Sequence, residues 1–579
     1  MRSPSISHPG LLATLALTKR KAFPSPTRHW IPIAVILVAV IGASLAYLYP
    51  SPVEFPMDDA YIHMVYAQNL VERGGLMFNN PDEKGVGVTS ASWVLLLAAG
   101  YRLGLPLHLV SKALGVASLI GLGVGLYLLL VRYWAALPAL MAVLFVILSG
   151  HMLWFALSGM ETILFLTSGV FAILCYRGQR WVWLGILLGL LTLTRPEGIL
   201  LAVSVGLVDI WRRKGLAKGL VVAGVVVFLM SLPWYGYLLA RTGYLLPTSA
   251  IGKRVSSQVG MHLLLQQNEA LAVFANYPSL IYPLVWVGYL FEYVLGGEAL
   301  PPPHLRLASS IAGESYSLSV WAVLGFAAVI APLACRSSRL LINRFRQPGW
   351  MRGENSGLVL VCLIWIALHN LSYMLFLPHP GTASRYGALN HIVLWIVLLA
   401  GLFSFLRWRG RFWWLAIGLS VIAVTNTVYW NRVYDANIEH MVSVRIEAAR
   451  YISKMISDEE LCAAMDVGAL RFYSQRPVVD LGGLVDPELG KLFLSGDLDR
   501  HLVEMGVTCL ILPGRARQIT DGWFDIAQEL GLLESRFVRL RQEKVFEMDR
   551  QRWLLGYQPT RNYQATVTIY RVQSLCSAC

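Results

Sequence analysis

The sequence predicts an α-helical polytopic membrane protein with a polar C-terminal unit, and three observations carry that reading. Of the 579 residues, 56% are hydrophobic and only 14% charged. Between residues 30 and 430, apolar runs recur at lengths near the roughly 20 residues that carry a helix across a bilayer. After Tyr429 the pattern stops: Asn431 to Cys579 is more polar, rich in Arg and Glu, and lacks a spanning run.

The charge distribution fits the same class. A formal net charge of +14 would suggest nucleic acid in a soluble chain, but here the basic residues sit in short clusters between apolar runs. Such clusters read as topology determinants, so no nucleic-acid partner is expected. Seven Cys are scattered, and neither they nor the terminal Cys576-Ser-Ala-Cys579 show a ligand spacing.

Taken in order, Met1 to Pro26 is rich in Pro and Ser, and residues 1–29 read as a disordered cytoplasmic tail. Trp30–Tyr49 follows Lys19, Arg20, Lys21 and Arg28 without a small-residue cleavage site, so it reads as an uncleaved anchor. With that basic flank inside, the loop of residues 50–106 emerges on the outer face. The remaining clusters are Arg132, Arg177 to Arg180, Arg212-Arg213-Lys214 with Lys218, Arg336 to Arg352, and Arg407 to Arg411. If all are cytoplasmic, the passes between them pair as Leu107–Val131, Ala135–Leu148, Glu161–Tyr176, Trp181–Thr194, Gly198–Ile210, Leu220–Ala240, Ser317–Ala334, Leu358–Leu377, Leu389–Leu406 and Phe412–Tyr429. With the anchor this gives about eleven transmembrane helices.

Trp93–Leu103 and Tyr277–Leu295 do not fit as passes and are assigned to in-plane or re-entrant helices on the outer side. Pro196 breaks a helix, and non-helical backbone at membrane depth must be buried in protein or line a cavity. The C-terminal unit, residues 431–579, reads as an extracytoplasmic soluble domain. Its strands are expected at Leu461–Met465, Thr508–Leu512 and Ala565–Arg571 and its helices at Ile438–Met455 and Leu498–Met505, a small α/β or α+β fold. Asp466, Asp480 and Asp486 read there as turn and strand-end residues in a domain that helps to bind the acceptor, with a second carboxylate site as the alternative.

This topology gathers the unusual polar clusters on one face. They are Asp58-Asp59, Asn79-Asn80 through Thr89-Ser90, Ser158-Gly-Met-Glu161-Thr162, Thr194-Arg195-Pro196-Glu197-Gly198, Leu246-Pro247-Thr248 to Lys253-Arg254, and His379 through Ser384-Arg385-Tyr386. Ionisable groups at membrane depth are costly and usually face a cavity or pathway, so their convergence marks a site. Each cluster also has a plain structural role open to it. Asp58-Asp59 suits the start of the helix at Ala60; Glu161 and Glu197 suit helix starts, with Arg195 a local partner; Arg385 beside Tyr386 suits a snorkelling cation with an aromatic anchor. His63, His151, His369, His379 and His391 show no metal-type spacing and stay unassigned.

The same motifs, in this order, resemble polytopic glycosyltransferases of the C superfamily (GT-C). The resemblance rests on Asp58-Asp-Ala-Tyr-Ile-His-Met-Val-Tyr-Ala-Gln-Asn-Leu, Gly-Gly-Leu-Met-Phe-Asn79-Asn, Thr89-Ser-Ala-Ser-Trp93, Ser158-Gly-Met-Glu-Thr, Leu193-Thr-Arg-Pro-Glu-Gly, Leu246-Pro-Thr with Lys253, Ser384-Arg-Tyr, and Met465-Asp-Val-Gly-Ala-Leu with Val479-Asp-Leu-Gly-Gly-Leu-Val-Asp486-Pro-Glu. It spans most of the chain, and is nearest to arabinofuranosyltransferase-like and dolichyl-phosphate-mannose mannosyltransferase-like enzymes. It implies transfer of a sugar from a polyprenyl-phosphate carrier to a glycan, lipid or protein acceptor on the extracytoplasmic face, with Asp58 as the base and Asp59 beside it. The chain departs from the usual first loop at His63-Met-Val, where a basic residue often stands, and at Lys84-Gly-Val-Gly-Val, where an acidic residue often precedes Gly.

The chemistry of the residues agrees with that implication. An inverting transfer needs a carboxylate to take the acceptor hydroxyl's proton and cations to neutralise the leaving phosphate. Arg195, Lys253 and Arg385 are the outer-face cations, and Arg grips phosphate oxygens in a fork. Glu161, Glu197, Tyr386 and Asn79 are the further substrate-binding candidates. A divalent cation is an optional assistant, for which only Asp58, Asp59 and Glu161 are available ligands, and no metal site is expected. The rival readings are a secondary transporter, which would show an internal repeat and midplane polar groups, and a lipid- or polysaccharide-binding membrane protein, which would not require intramembrane Arg and Glu. Asn370-Leu-Ser372 matches a glycosylation sequon but lies inside an apolar run.

Overall fold

A computed structural model describes residues 29–49, 51–83, 85–255, 280–283, 286, 331–343, 346–347, 354–377, 381–405, 409–457, 459–485, 489, 492, 497–516, 523–525, 527, 530–560 and 566–575. The expected tail up to residue 28, most of Tyr277–Leu295, the expected pass Ser317–Ala334 as far as residue 330, His379, Asp486 and Cys576 to Cys579 lie outside the described residues.

Helices occupy the expected apolar runs. They are α1 (Trp30–Leu48), α2 (Asp59–Glu72), α3 (Ala91–Arg102), α4 (Leu107–Leu130), α5 (Ala136–Ile147), α6 (Gly150–Leu157), α7 (Thr162–Arg177), α8 (Trp181–Thr194), α9 (Ile199–Arg213) and α10 (Lys218–Thr242), followed by Glu354–Phe376, Ala388–Phe405 and Arg409–His440. Among the described residues, five helices are long and apolar enough to cross a bilayer, and α5 with α6 forms a sixth candidate bent by 58°. Of the other five expected passes, α7, α8 and α9 hold only 16, 14 and 15 residues, Ser317–Ala334 lies mostly outside the described residues, and Phe412–Tyr429 belongs to the helix Arg409–His440, which is not among the six. Exposed Trp30, Val38 and Leu45 on α1, and Phe228, Leu229 and Leu232 on α10, give these helices the apolar outer surface that lipid requires.

Small residues let the helices approach. Gly115 of α4 faces the backbone of Ala156, Gly169 of α7 sits under Trp365, and Gly185 of α8 meets Val226 of α10, each too close for a Cβ. Such close backbone approach is how helices pack where burial from water offers little drive.

The last long helix does not stop where the apolar composition does. Arg409–His440 runs on through a π-helical turn, Met441–Ile446, into Glu447–Met455, so the compositional boundary near residue 430 falls inside one helical path. Beyond it a six-stranded sheet forms from β1 (Leu461–Ala464), β2 (Val478–Asp480), β3 (Val507–Ala516), β4 (Trp523–Asp525), β5 (Val538–Glu547) and β6 (Thr566–Ser574), in the order β2-β1-β3-β6-β5 with β4 on β3. β1 pairs parallel with β2 and β3, while β3–β6, β5–β6 and β3–β4 are antiparallel.

The sheet is tied to the loop that precedes α3. The Asn79 side chain donates to the carbonyl of Val478 (3.0 Å) and accepts from its N–H (3.1 Å). Asp480, at the end of β2, accepts from the N–H groups of Gly482 (2.9 Å) and Val485 (2.6 Å) and so shapes the turn that follows. Residues 483–485 of that turn lie against three glycines: a Cβ on Gly85 would collide with the carbonyl of Val485, one on Gly252 with the carbonyl of Gly483, and one on Gly87 would crowd Val485 and the Tyr66 hydroxyl.

Candidate active site

The approach to α2 is fixed first. Buried Lys112 of α4 donates to the carbonyl of Glu54 (2.8 Å) and to the Tyr434 hydroxyl (2.7 Å). The Glu54 carboxylate accepts from Tyr61 (2.6 Å) and Tyr473 (2.7 Å) and meets His108 at 3.1 Å. α2 therefore starts at one defined point, and its first two acidic side chains leave it in different directions, since consecutive helical residues are rotated by about 100°.

Asp58 points to the C-terminal part. Its oxygens accept from the N–H groups of Gly468 (2.7 Å) and Ala469 (2.9 Å), the first residues of the helix Gly468–Ser474, with Arg445 at 3.5 Å. A Cβ at position 468 would strike the Asp58 backbone and carboxylate, which explains the glycine there. A carboxylate on exposed helix-start N–H groups is the favourable charge for that end. Asp58 thus caps a helix, though not its own.

Asp59 points the other way, where its Oδ2 pairs with Arg385 and lies 3.4 Å from the Lys253 amino group. Burial pushes this carboxyl up, but the charges of Lys253 and Arg385 outweigh it and hold the group well below the usual carboxylate range.

Arg385 reaches this position from an unusual bend. Thr382–Gly387 forms a 3-10 segment in which Ala383 (φ 55°) and Ser384 (φ 56°), like Gly381 before them (φ 72°), are left-handed. Two such non-Gly residues in succession are costly and persist only where their surroundings fix them. Two buried histidines do so: His151 Nε2 donates to the carbonyl of Ala383 (2.6 Å) and His369 Nε2 to that of Tyr386 (2.9 Å). The Arg385 guanidinium also touches the Met57 sulfur at 3.4 Å.

The third group comes from the break after α8. Arg195 is extended (φ −150°, ψ 137°), and a short 3-10 turn, Pro196–Gly198, leads into α9. Arg195 Nε donates to Glu161 (2.8 Å) and a terminal nitrogen to Thr162 (3.0 Å), while Glu197 lies at 3.7 Å. Glu161 itself is placed by the left-handed turn at Gly159 (φ 83°), whose carbonyl accepts from the indole of Trp93 (2.9 Å). Glu197 accepts from the Tyr373 hydroxyl (2.6 Å). Tyr386 sits amid the cations, with its hydroxyl 3.1 Å from Lys253 and its ring centre 5.2 Å from the Arg195 guanidinium and 5.3 Å from that of Arg385.

These groups line one cavity of about 320 Å³. Its polar wall holds Asp59, His63, Glu161, Arg195, Glu197, Lys253, Arg385 and Tyr386, and its apolar wall includes Ile62, Met160, Leu200, Leu246 and Phe376, with Leu484 contributed by the turn after β2. Seven of the nine candidates named from the sequence meet here. The other two do not line it: Asp58 meets the start of the Gly468 helix, and Asn79 meets Glu83 and the Val478 backbone, so both join the first loop to the C-terminal part. Tyr373 lines the cavity without having been named from the sequence, and His63 and Thr89, named there without a role, line it too; His63 stands one helical turn after Asp59. Asp59 is taken up by two cations and Glu161 by Arg195, and among the described residues no group of three acidic, His or Cys side chains is placed to hold a metal ion.

Comparison with known proteins adds three findings. A sequence family described as "Domain of unknown function (DUF8728)" matches residues 431–570, and no curated protein matches the chain in sequence. The archaeal oligosaccharyltransferase AglB from Archaeoglobus fulgidus, in complex with an inhibitory peptide and a dolichol-phosphate, aligns with a TM-score of 0.52 at 11% identity, covering 95% of this chain and 89% of AglB. The apo form of the Archaeoglobus fulgidus oligosaccharyltransferase gives 0.52 at 14% identity over 84% of this chain and 70% of the other. ArnT from Cupriavidus metallidurans bound to undecaprenyl phosphate covers 96% and 100%, at 14% identity and a TM-score of 0.49. At such identities the likeness to the oligosaccharyltransferase is one of architecture, and it shows that this chain has the fold of the GT-C glycosyltransferases.

Proposed function

We propose that the protein is an inverting glycosyltransferase that moves a sugar from a polyprenyl-phosphate carrier to an acceptor hydroxyl at the extracytoplasmic membrane face. One observation carries the reading: a single carboxylate, Asp59, shares a part-apolar cavity with Lys253 and Arg385, so a proton acceptor and phosphate-binding cations stand side by side. Arg195, steadied by Glu161 and Glu197, is the third cation.

The ion pairs also suggest an order of events. A carboxylate held as low as Asp59 is a weak base. A donor phosphate arriving at Lys253 and Arg385 competes for both cations and returns Asp59 towards its ordinary range, so basicity appears only once the donor is seated. The acceptor hydroxyl then loses its proton to Asp59 as it attacks the anomeric carbon, and the lipid phosphate leaves to the cations. Since the product is a lipid monophosphate, no nucleotide-binding loop is needed. The C-terminal part, extracytoplasmic in this reading, completes the acceptor side through Leu484.

The test is transfer in vitro from a panel of polyprenyl-phosphate sugars by the wild-type protein and by Asp59→Asn. Donor consumption by wild type that is lost in Asp59→Asn is expected. No consumption of any donor, or full activity in Asp59→Asn, overturns the reading. Cysteine labelling at positions 79 and 410 from the two sides of the membrane tests the orientation; both labelling from one side contradicts it.

A further inference from the structure

His63 and Glu161 present an arrangement that the transfer chemistry above leaves unused. Both are buried, 4% and 2% exposed, and both line the cavity. His63 Nε2 and Glu161 Oε2 face each other at 3.9 Å, and no protein donor or acceptor reaches either atom. Unpartnered buried polar atoms are rare and costly.

Their hydrogen-bonding types follow from their other contacts. His63 Nδ1 lies 3.0 Å from the carbonyl of Asp59. A carbonyl only accepts, so Nδ1 carries the hydrogen and Nε2 of the neutral ring is an acceptor. Burial pushes the His63 imidazole below its usual value despite the pull of the nearby Glu161 and Asp59 carboxylates, which favours that neutral form. Glu161 Oε1 accepts from Arg195, which keeps the group a carboxylate and leaves Oε2 a second acceptor. Two acceptors therefore converge, and what satisfies them must bring two donor hydrogens.

Charge decides which kind. Around the cavity Asp59, Glu161 and Glu197 are already matched by Arg195, Lys253 and Arg385, with Arg254 also lining it, so there is no surplus negative charge to hold an ammonium. Neutral donors remain. Two adjacent hydroxyls on a sugar ring, each donating to one acceptor, fit a gap of this width. The gap lies one helical turn along α2 from Asp59, which is where the ring of a sugar with its anomeric carbon near Asp59 would extend.

We propose that His63 Nε2 and Glu161 Oε2 form a subsite that reads a vicinal diol of the transferred sugar. The proposal rests on the transferase reading, and the experiment separates the two. Short-chain polyprenyl-phosphate mannose, glucose and arabinofuranose are each compared with their 3-deoxy counterpart, a change that removes a member of every ring diol. Wild type is expected to favour the hydroxylated donor by about 10- to 100-fold in kcat/KM, the range for a lost hydrogen bond to a charged or buried partner. His63→Asn keeps an amide donor for the Asp59 carbonyl but has nothing at the Nε2 position. It is expected to bring the ratio to within about 3-fold by losing activity on the hydroxylated donor alone. His63→Gln places an amide oxygen near Nε2 and is expected to restore part of the preference. Because His63→Gln and the wild-type ratio are read independently, a failure of His63→Asn to fold leaves the question decidable. Transfer without discrimination by wild type, or a wild-type ratio retained in His63→Asn, overturns the diol subsite and leaves the transferase intact. No transfer from any donor overturns both.

Discussion

Asp58 and Asp59 are neighbours in the chain, and each lies near an arginine, yet the rest of their surroundings differ. Asp58 is 7% exposed and is met by two backbone N–H groups of a helix some 400 residues later, with Arg445 at 3.5 Å, whereas the Asp59 side chain is 25% exposed and meets the side-chain cations Lys253 and Arg385 in a cavity. Backbone N–H groups cannot be recruited by a substrate without undoing the helix start; side-chain cations can. A carboxylate bound to backbone is part of the frame, and one bound to side chains is available for exchange. In the transferase reading proposed above, the first is architectural and the second does the chemistry.

The largest expected effect tests that assignment directly. Asp59→Asn should lower transfer by about 10²- to 10⁴-fold, as expected for loss of a general base, while its melting temperature stays near wild type; Asp58→Asn should lose less than about 10-fold. Equal losses in the two variants would erase the distinction. Next, Arg385→Gln should reduce kcat by roughly 10²- to 10³-fold, in the range for removing one charge-stabilising donor, with the loss read at saturating donor.

A third carboxylate sharpens the contrast by being structural and titrating. Asp480 is pushed by burial up to about 7, against its hydrogen bonds from the N–H groups after it. The folded protein then binds the extra proton between an unfolded value of about 3.9 and that value, so stability falls as pH rises from about 4 to about 7 and is level above it. The loss is on the order of 4 kcal/mol at most. Melting curves between pH 4.5 and 7.5 should show it for wild type and not for Asp480→Asn. Asp58→Ala should cost about 1–3 kcal/mol, the price of unpaired buried N–H groups, seen as a lower melting temperature. The smallest effect is expected for Asn79→Ala, about 1 kcal/mol, with donor KM unchanged.

Much of the fold was legible because long apolar runs leave helices few alternatives, and the breaks at Pro196 and before Ala388 were marked by Pro and by charge. The convergence of Glu161, Arg195, Glu197, Lys253, Arg385 and Tyr386 was legible from parity alone. The separation of Asp58 from the cavity that Asp59 lines was not, since it depends on where Gly468 arrives in space. The role of His151 and His369 was hidden for the same reason: nothing local shows that their partners are carbonyls of a left-handed bend. β5 escaped notice because Gln542, Glu543 and Lys544 interrupt the alternation that Val538 and Leu540 begin, at the point where its register shifts, and its many charges suit a strand at the edge of a sheet.

The three glycines under residues 483–485 carry a consequence for how this protein can be altered by recombination. Gly85, Gly87 and Gly252 belong to the N-terminal half, and the turn they admit belongs to the segment matched by the family of residues 431–570. Exchanging that segment for one from another protein would succeed only if the incoming turn were as close-fitting as the departing one. Cutting the chain near residue 430 would take away a side of the cavity along with the helix start that occupies Asp58. The two halves must therefore change together, glycine by glycine.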